Sequence, residues 1–159
     1  MPRFQTTHRV QHSAENMFAL VADVEKYPLF VPLCQSTTLR GRKELGEGRS
    51  VIVADMTVAY KVIRETFTSK AELDLPALEI RVEYLDGPFH HLDNRWRFEP
   101  LTATSCDVIF FIEYEFRSRM LGSLMGTMFD LVFRKFATAF EKRADEVYGR
   151  ETPGAATVK

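Results

Sequence analysis

The side chains that could carry acid–base chemistry are few along this chain. Glu65 shares strand parity with Ile63 and Phe67, so it could point towards an apolar interior. One carboxylate without a positioned base or electrophile is not an active site, and a charge paired at the edge of a sheet explains Glu65 more simply. The sequence therefore indicates no catalytic residue, and we expect a binding protein rather than an enzyme.

Metal and thiol chemistry have little support either. His91 and Asp93 share one side of a predicted strand, next to His90, but the sequence offers no evident third ligand, and a catalytic zinc usually has three. The two cysteines, Cys34 and Cys106, lack the Cys-x-x-Cys and Cys/His spacings typical of zinc or redox sites. We interpret both as free thiols, and we expect no metal and no required cofactor.

The charge of the chain argues against a nucleic-acid-binding protein. The formal net charge is −1, so the chain lacks the positive potential that attracts polyanions. The one basic run, at Arg40, Arg42 and Lys43, lies beside Glu44 and Glu47 and is typical of a solvated surface. We expect no DNA partner.

Length and composition indicate one cytoplasmic domain. The chain has 159 residues, of which 45% are hydrophobic and 27% are charged, as is typical of a single globular domain. Its first residues lack the apolar core of a secretory signal, and no stretch approaches the length of a transmembrane helix. We predict one domain over residues 1–149 and a flexible tail over residues 150–159.

The elements that would position any site begin with a strand and two short helices. Alternating residues predict a strand over residues 3–11, and Ser13 offers a capping oxygen to a helix from residue 14 to about residue 24. The next segment has two prolines four positions apart. This spacing excludes a long helix and permits a short one starting at Pro28.

The middle of the chain has the alternation of an antiparallel sheet. Connections as short as these cannot hold parallel crossovers, so we expect a meander with one covered face. Glycines and prolines mark most of the turns, whereas the turn near Tyr60 and Lys61 has neither. The predicted strands lie near residues 35–45, 49–59, 62–73, 78–86, 90–99 and 104–117.

A long helix is predicted from Ser118 to Tyr148, where Gly149 supplies a stop. Phenylalanines at spacings of three and four form a stripe along it. In residues 120–133 Asp130 is the only charge, and apolar residues occur nearly all round the helix. Such a wide apolar face exceeds what one sheet can cover, which favours a cavity between the helix and the sheet.

Several local strings resemble the START-like helix-grip superfamily of polyketide cyclases and lipid-transfer domains. Within it, the similarity is greatest to the coenzyme Q-binding START-domain family, whose bacterial relatives include a ribosome-association toxin. Leu33 departs from the pattern, because many members have tryptophan at this point. The strings that carry the resemblance are residues 23–28, Phe30-Val31-Pro32 with Cys34, residues 64–69, Gly87-Pro88-Phe89, Trp96-Arg97-Phe98 and residues 139–144 before Tyr148-Gly149.

The resemblance implies an α+β fold in which a seven-stranded curved antiparallel sheet wraps a long C-terminal helix. It also implies non-catalytic binding of a ubiquinone-type lipid or a precursor, in support of respiration or quinone synthesis. It allows transient contact with the inner face of a membrane. The alternatives are a ribosome-associated regulator, which would use a surface rather than a cavity, and a cyclase- or dehydratase-type enzyme.

The candidate ligand-binding residues come from the inner face of the sheet, the helical stripe and the loop before Cys34. Trp96 and Phe89 are also explained as core aromatics, since a grip fold draws its core and its pocket from overlapping residues. The segment around Phe30 could likewise pack as a plug instead of bordering an opening. The candidates are Phe30, Val31, Met56, Phe67, Val82, Tyr84, Phe89, Trp96, Phe110, Ile112, Tyr114, Phe129, Val132, Phe133 and Phe136.

Overall fold

A computed structural model describes residues 3–149, apart from the side chains of Thr127 and Met128. The predicted tail, residues 150–159, lies outside the described residues. Within residues 3–149, no helix combines the length and the apolar character needed to cross a bilayer. The elements are β1 (Arg3–Val10), α1 (Ala14–Ala22), a 3₁₀ helix (Val24–Leu29), β2 (Cys34–Gly46), β3 (Arg49–Tyr60), β4 (Ile63–Asp74), β5 (Glu79–Asp86), β6 (Phe89–Thr102), β7 (Ser105–Phe116) and α2 (Arg119–Tyr148).

The strands form one seven-stranded antiparallel sheet in the order β1-β7-β6-β5-β4-β3-β2. The predicted meander of β2 to β7 is confirmed. Strand β1 pairs antiparallel with β7, the last strand of the meander. Register shifts interrupt β2 at three points and β6 at two. Bulges bend a strand and increase its twist, so these shifts favour the curvature with which the sheet wraps α2.

Serines begin both α-helices. The Ser13 hydroxyl accepts a hydrogen bond from the Asn16 amide at 3.1 Å, and the Ser118 hydroxyl accepts one from the Leu121 amide at 3.2 Å. Each bond satisfies one of the amides that a helix start leaves without a partner. The two caps fix where α1 leaves β1 and where α2 leaves β7.

The sheet has an apolar inner face and a charged outer face, as the alternation predicts. On the inner face Ile80, Trp96 and Phe110 are at most 5% exposed. On the outer face the Arg3 guanidinium donates to the Glu113 carboxylate at 2.8 Å across the β1–β7 pair. The inner face alone therefore meets the helices.

Three predicted boundaries were wrong. The short helix does not start at Pro28 but at Val24, and Pro28 lies near its end. The amides of Lys26 and Phe30 donate to the carbonyls of Asp23 and Tyr27 at the two ends of this helix, and Pro28, which has no amide hydrogen, lies inside it. Strand β6 continues past Pro100 to Thr102, because the register shift there accommodates the proline. The first helix ends at Ala22, two residues earlier than predicted.

Candidate functional site

A cavity of about 140 Å³ lies between the inner face of the sheet and α2. Strands β3 to β7 supply its floor, and α2 supplies its roof. The loop after the 3₁₀ helix closes one side through Val31, Pro32 and Leu33. The predicted location of a cavity between helix and sheet therefore agrees with the structure.

Most of the predicted ligand-binding residues lie in the wall of this cavity. They come from elements far apart in sequence, because the curved sheet turns its inner face towards the same side of α2. Their role in holding a ligand remains a prediction. The predicted residues in the wall are Val31, Met56, Phe67, Val82, Trp96, Ile112, Phe129, Val132, Phe133 and Phe136.

Four other predicted residues, Tyr84, Phe89, Phe110 and Tyr114, lie outside the cavity wall. Phe89 and Phe110 are each 1% exposed. The Tyr84 hydroxyl accepts a hydrogen bond from the Phe89 amide at 3.0 Å. These rings fill the aromatic core beside the cavity. They were predicted to line it because strand parity gives the face on which a residue lies but not its distance from the cavity.

Phe30 also lies outside the wall, and the plug interpretation describes it better. Its ring meets the Phe140 ring edge-on, with centroids 5.0 Å apart, and the Arg143 guanidinium lies 5.5 Å from its centroid. Leu29, which is 66% exposed, is the apolar side chain of this segment that faces outwards. The 3₁₀ helix turns the two neighbouring side chains in opposite directions.

The wall also contains four polar residues that were not among the predicted ligand-binding residues, Tyr27, Cys34, Ser69 and Asn94. Asn94 has the same strand parity as Leu92 and Trp96, so the alternation that selects those two residues also places Asn94 on the inner face. Polarity alone kept it off the candidate list. A polar residue on the apolar side of a strand is the signal that could have found it.

The Asn94 amide is held by two hydrogen bonds. The indole nitrogen of Trp96 donates to Asn94 Oδ1 at 3.2 Å, and Asn94 Nδ2 donates to the carbonyl oxygen of Phe111 at 2.9 Å. An indole N–H can only donate and a backbone carbonyl can only accept. The orientation of the amide is therefore fixed by its neighbours.

No charged side chain is among the described residues of the cavity wall. Burial raises the pKa of the Cys34 thiol to about 11, so the thiol is protonated at neutral pH. Burial also raises the pKa of Tyr27, whose hydroxyl donates to the Val21 carbonyl. The wall offers neutral groups throughout, which suits an apolar ligand and provides no ionised nucleophile.

The acidic and histidine candidates do not converge on the cavity. His91 contacts Glu113 at 3.0 Å on the outer face, where Arg3 and His91 hold the pKa of the Glu113 carboxyl below its ordinary value. Asp93 pairs with Arg95 at 2.9 Å. Within residues 3–149, no three His, Cys, Asp or Glu side chains are grouped to hold a metal ion.

The sequence of this chain matches the model of a known family. A family model described as "Polyketide cyclase / dehydrase and lipid transport" matches residues 10–141. The chain belongs to this family. The description covers enzymes and lipid carriers alike, so membership does not by itself select between them.

Two curated relatives represent different named activities. The ribosome association toxin RatA of Vibrio cholerae is 36% identical over 140 residues, which cover 88% of this chain and 93% of the relative. The mitochondrial coenzyme Q-binding protein COQ10 homolog B of Xenopus laevis is 34% identical over 152 residues, covering 92% of this chain and 60% of that protein. Both are related along nearly the whole of this chain.

Solved structures agree with the START-like helix-grip fold. The solution structure of the 18 kDa protein CC1736 from Caulobacter crescentus has a TM-score of 0.77 at 32% identity. The match covers 94% of this chain and 100% of CC1736. A START superfamily protein from Mycobacterium smegmatis has a TM-score of 0.75 at 20% identity, covering 91% of this chain and 98% of the other. The second likeness concerns the fold alone.

Proposed function

We propose that this protein binds an apolar ligand of the isoprenoid quinone class in its cavity and presents it to enzymes of respiration or quinone synthesis. It would do so without catalysing a reaction and without a required cofactor. The observation that carries the proposal is the uncharged cavity between the sheet and α2. Removing apolar area from water favours binding by about 25 cal/mol per Å², so a hydrocarbon tail needs no specific polar partner.

The size of the cavity limits how much ligand it can hold as it stands. At about 140 Å³, it is close to the roughly 150 Å³ of an apolar cavity that takes up benzene. Ligand pockets more often measure roughly 300–1,000 Å³. A single ring therefore fits the cavity, while an isoprenoid tail requires the walls to part. Such opening would let the tail remain in contact with a membrane.

The relatives support the ligand class. COQ10 homolog B, a coenzyme Q-binding protein by name, is 34% identical to this chain over 152 residues. The aligned region covers 92% of this chain, which is enough to include the strands that line the cavity and most of α2. The name of this relative and the apolar wall of the cavity both support binding of a quinone.

Lipid analysis tests the proposal. Protein purified without detergent should release an isoprenoid quinone or a precursor when it is extracted with organic solvent and the extract is analysed by mass spectrometry. A Phe133→Asp variant, purified in parallel, should carry much less of the same lipid. A wild-type extract with no enriched apolar compound, or equal amounts in both samples, would count against the carrier.

The second candidate is a ribosome-associated regulator, which the 36% identity to RatA favours. The two functions differ in their dependence on salt. Contact with ribosomal RNA through Lys and Arg should weaken steeply as salt rises, whereas apolar contact with a membrane should persist.

Co-sedimentation with ribosomes and with lipid vesicles across a salt series separates the two. Because Leu29 rather than Phe30 faces outwards, the informative variant is Leu29→Ser. Salt-resistant vesicle binding that is weakened in Leu29→Ser supports the carrier. Salt-sensitive ribosome binding that is unchanged in this variant supports the regulator.

A further inference from the structure

We propose that Asn94 selects ligands that carry a hydrogen-bond-accepting oxygen on a flat ring, such as a quinone carbonyl, over plain hydrocarbons. This inference rests on the proposed function, because it assigns a specific role within the same cavity. The wall around Asn94 is mainly apolar, with Val82 opposite it on β5 and Ile112 opposite it on β7. An amide at this place therefore needs an explanation.

Structural bonding uses only part of the Asn94 amide. An asparagine side chain has two N–H donors and an oxygen with two lone pairs. The bonds to Phe111 and Trp96 occupy one donor and one lone pair. Among the described residues the amide has no other hydrogen-bond partner. One N–H and one lone pair remain for a molecule in the cavity.

The amide is also prepared for recognition before a ligand arrives. Its two structural bonds prevent rotation, so binding would not have to pay for ordering this side chain. A polar group fixed in an apolar site discriminates well, because a ligand that lacks the complementary atom leaves it unpaired. The spare N–H favours a ligand with an acceptor oxygen.

The side chains around Asn94 indicate that the ligand carries its acceptor oxygen on a flat ring. Trp96, which orients the amide, lines the same cavity, and so do Phe133 and Phe136. Aromatic walls favour planar partners in stacked or edge-on arrangements. The cavity volume suits one ring, so the ring would enter next to Asn94 and any tail would extend away from it.

The test compares two ligands with the same decyl tail on a flat six-membered ring, decylbenzoquinone and decylbenzene, of which only the first carries ring oxygens. Trp96 is the single tryptophan of the chain and lies in the cavity wall, so its emission should report quinone binding directly. Decylbenzene is scored by its displacement of the quinone. The ratio of the two dissociation constants measures selectivity, and because both ligands meet the same preparation, partial unfolding cancels from it.

The preference for decylbenzoquinone, expressed as the ratio of its affinity to that of decylbenzene, should be about tenfold greater in the wild type than in Asn94→Leu, the difference expected for one hydrogen bond. Asn94→Leu should still bind decylbenzene. Asn16→Leu, at the other asparagine of the chain and exposed on α1, is the matched control and should keep the preference.

The outcomes separate the two proposals. A preference of the same size in the wild type and in Asn94→Leu would overturn the role of Asn94 and leave the apolar cavity intact. Failure of both ligands to bind the wild-type protein would overturn the proposed function, and the inference with it.

Discussion

The two ends of α2 are held to the rest of the protein in different ways. Residues 140–148 are tied by polar bonds: His8 contacts Glu141 at 2.8 Å, and His12 contacts Asp145 at 2.7 Å. The Tyr148 hydroxyl donates to the backbone of α1 at 3.1 Å. This end of the helix is fastened to both β1 and α1.

Residues 119–136 rely on apolar packing instead. Phe129, Phe133 and Phe136 face the cavity, while Met120 and Leu131 are 73% and 55% exposed. Among the described side chains of this part, the one ion pair, between Asp130 and Arg134, stays within the helix. Apolar packing over a cavity is incomplete, since an empty space offers no partner atoms on one side.

The difference assigns separate tasks to the two parts. The tied end keeps α2 in register with the sheet and adds only Phe140 to the cavity wall. The apolar end covers the rest of a cavity that is too small for a lipid tail. Opening is therefore expected at residues 119–136, where few polar bonds have to break. Variants in the two parts should affect different properties, binding in one and stability in the other.

The largest effect is expected from a charge in the cavity wall. Phe133→Asp places a carboxylate in an apolar site where Phe133 is 6% exposed, and burying an unpaired charge is strongly unfavourable. We expect ligand affinity to fall by about 100-fold or more, measured by titration of Trp96 emission.

Leu131→Asp is the matched control, because Leu131 lies on the exposed side of the same helix. It should bind ligand normally. Circular dichroism must first show that both variants are folded. If folded Phe133→Asp binds as well as Leu131→Asp, the cavity is not the binding site.

The next largest effect concerns stability at the tied end. Phe140 is 2% exposed and packs edge-on against Tyr27, Phe30 and Trp96 at centroid distances of 5.0–5.5 Å. Phe140→Ala should lower the free energy of unfolding by about 3–5 kcal/mol. Phe136→Ala should cost less, because Phe136 is only half-buried. Urea denaturation of both variants checks the order, and a larger loss for Phe136→Ala would contradict it.

The two buried cysteines differ in their position, because Cys34 lines the cavity and Cys106 lies in the core. Burial raises the pKa of Cys34 and of Cys106 from 9.0 to about 11. At pH 8 the thiolate of each is about 100-fold scarcer than that of a thiol with the ordinary value, and alkylation should be slower in proportion. Bound ligand should slow alkylation of Cys34 further, because Cys34 lines the cavity, and should leave Cys106 unchanged. Mass spectrometry of alkylated peptides checks this.

The raised pKa values of Cys34 and Cys106 also make the stability of the fold depend on pH. The folded protein holds these thiol protons more tightly than the unfolded chain does. Stability should therefore be constant below about pH 9 as far as the cysteines are concerned, and should fall as the pH rises towards about 11. A Cys34→Ala variant should show a smaller fall, and an equal fall in both proteins would remove Cys34 as its cause.

The smallest effect is expected from one polar tie. Tyr148→Phe removes the hydrogen bond to the Asn16 carbonyl and should lower stability by about 1 kcal/mol. Ligand affinity should stay the same, since this bond lies at the tied end. Reduced affinity without reduced stability would show that the two parts of α2 are not separate.

Most of the fold could be predicted because it depends on patterns that are local in sequence. Alternation placed the strands, the serines and Gly149 marked helix ends, and the short turns required an antiparallel sheet. The turn at Lys61 and Val62 had no glycine or proline to mark it, yet Lys61 adopts a positive φ of 55°. Lysine is unusual in that conformation, so only the alternation of the flanking strands located this turn, one residue early.

The site was predictable only in part, because a cavity depends on distances that sequence does not give. Parity placed Phe110 and Trp96 on the same face, but only Trp96 reaches the cavity. Adjacent residues Leu29 and Phe30 are both apolar, and the backbone of the 3₁₀ helix decides which of them packs inside. Asn94 is a polar residue on the inner face, so hydrophobic alternation does not select it.

Hydrogen–deuterium exchange, with and without decylbenzoquinone, tests most directly whether the ligand binds beneath the apolar part of α2. We expect amides in residues 119–136 to exchange faster than those in residues 140–148 in the free protein. Ligand should slow exchange mainly in residues 119–136 and in the cavity-lining strands. Protection confined to the outer face of the sheet, or equal in both parts of α2, would show that the ligand does not bind beneath residues 119–136.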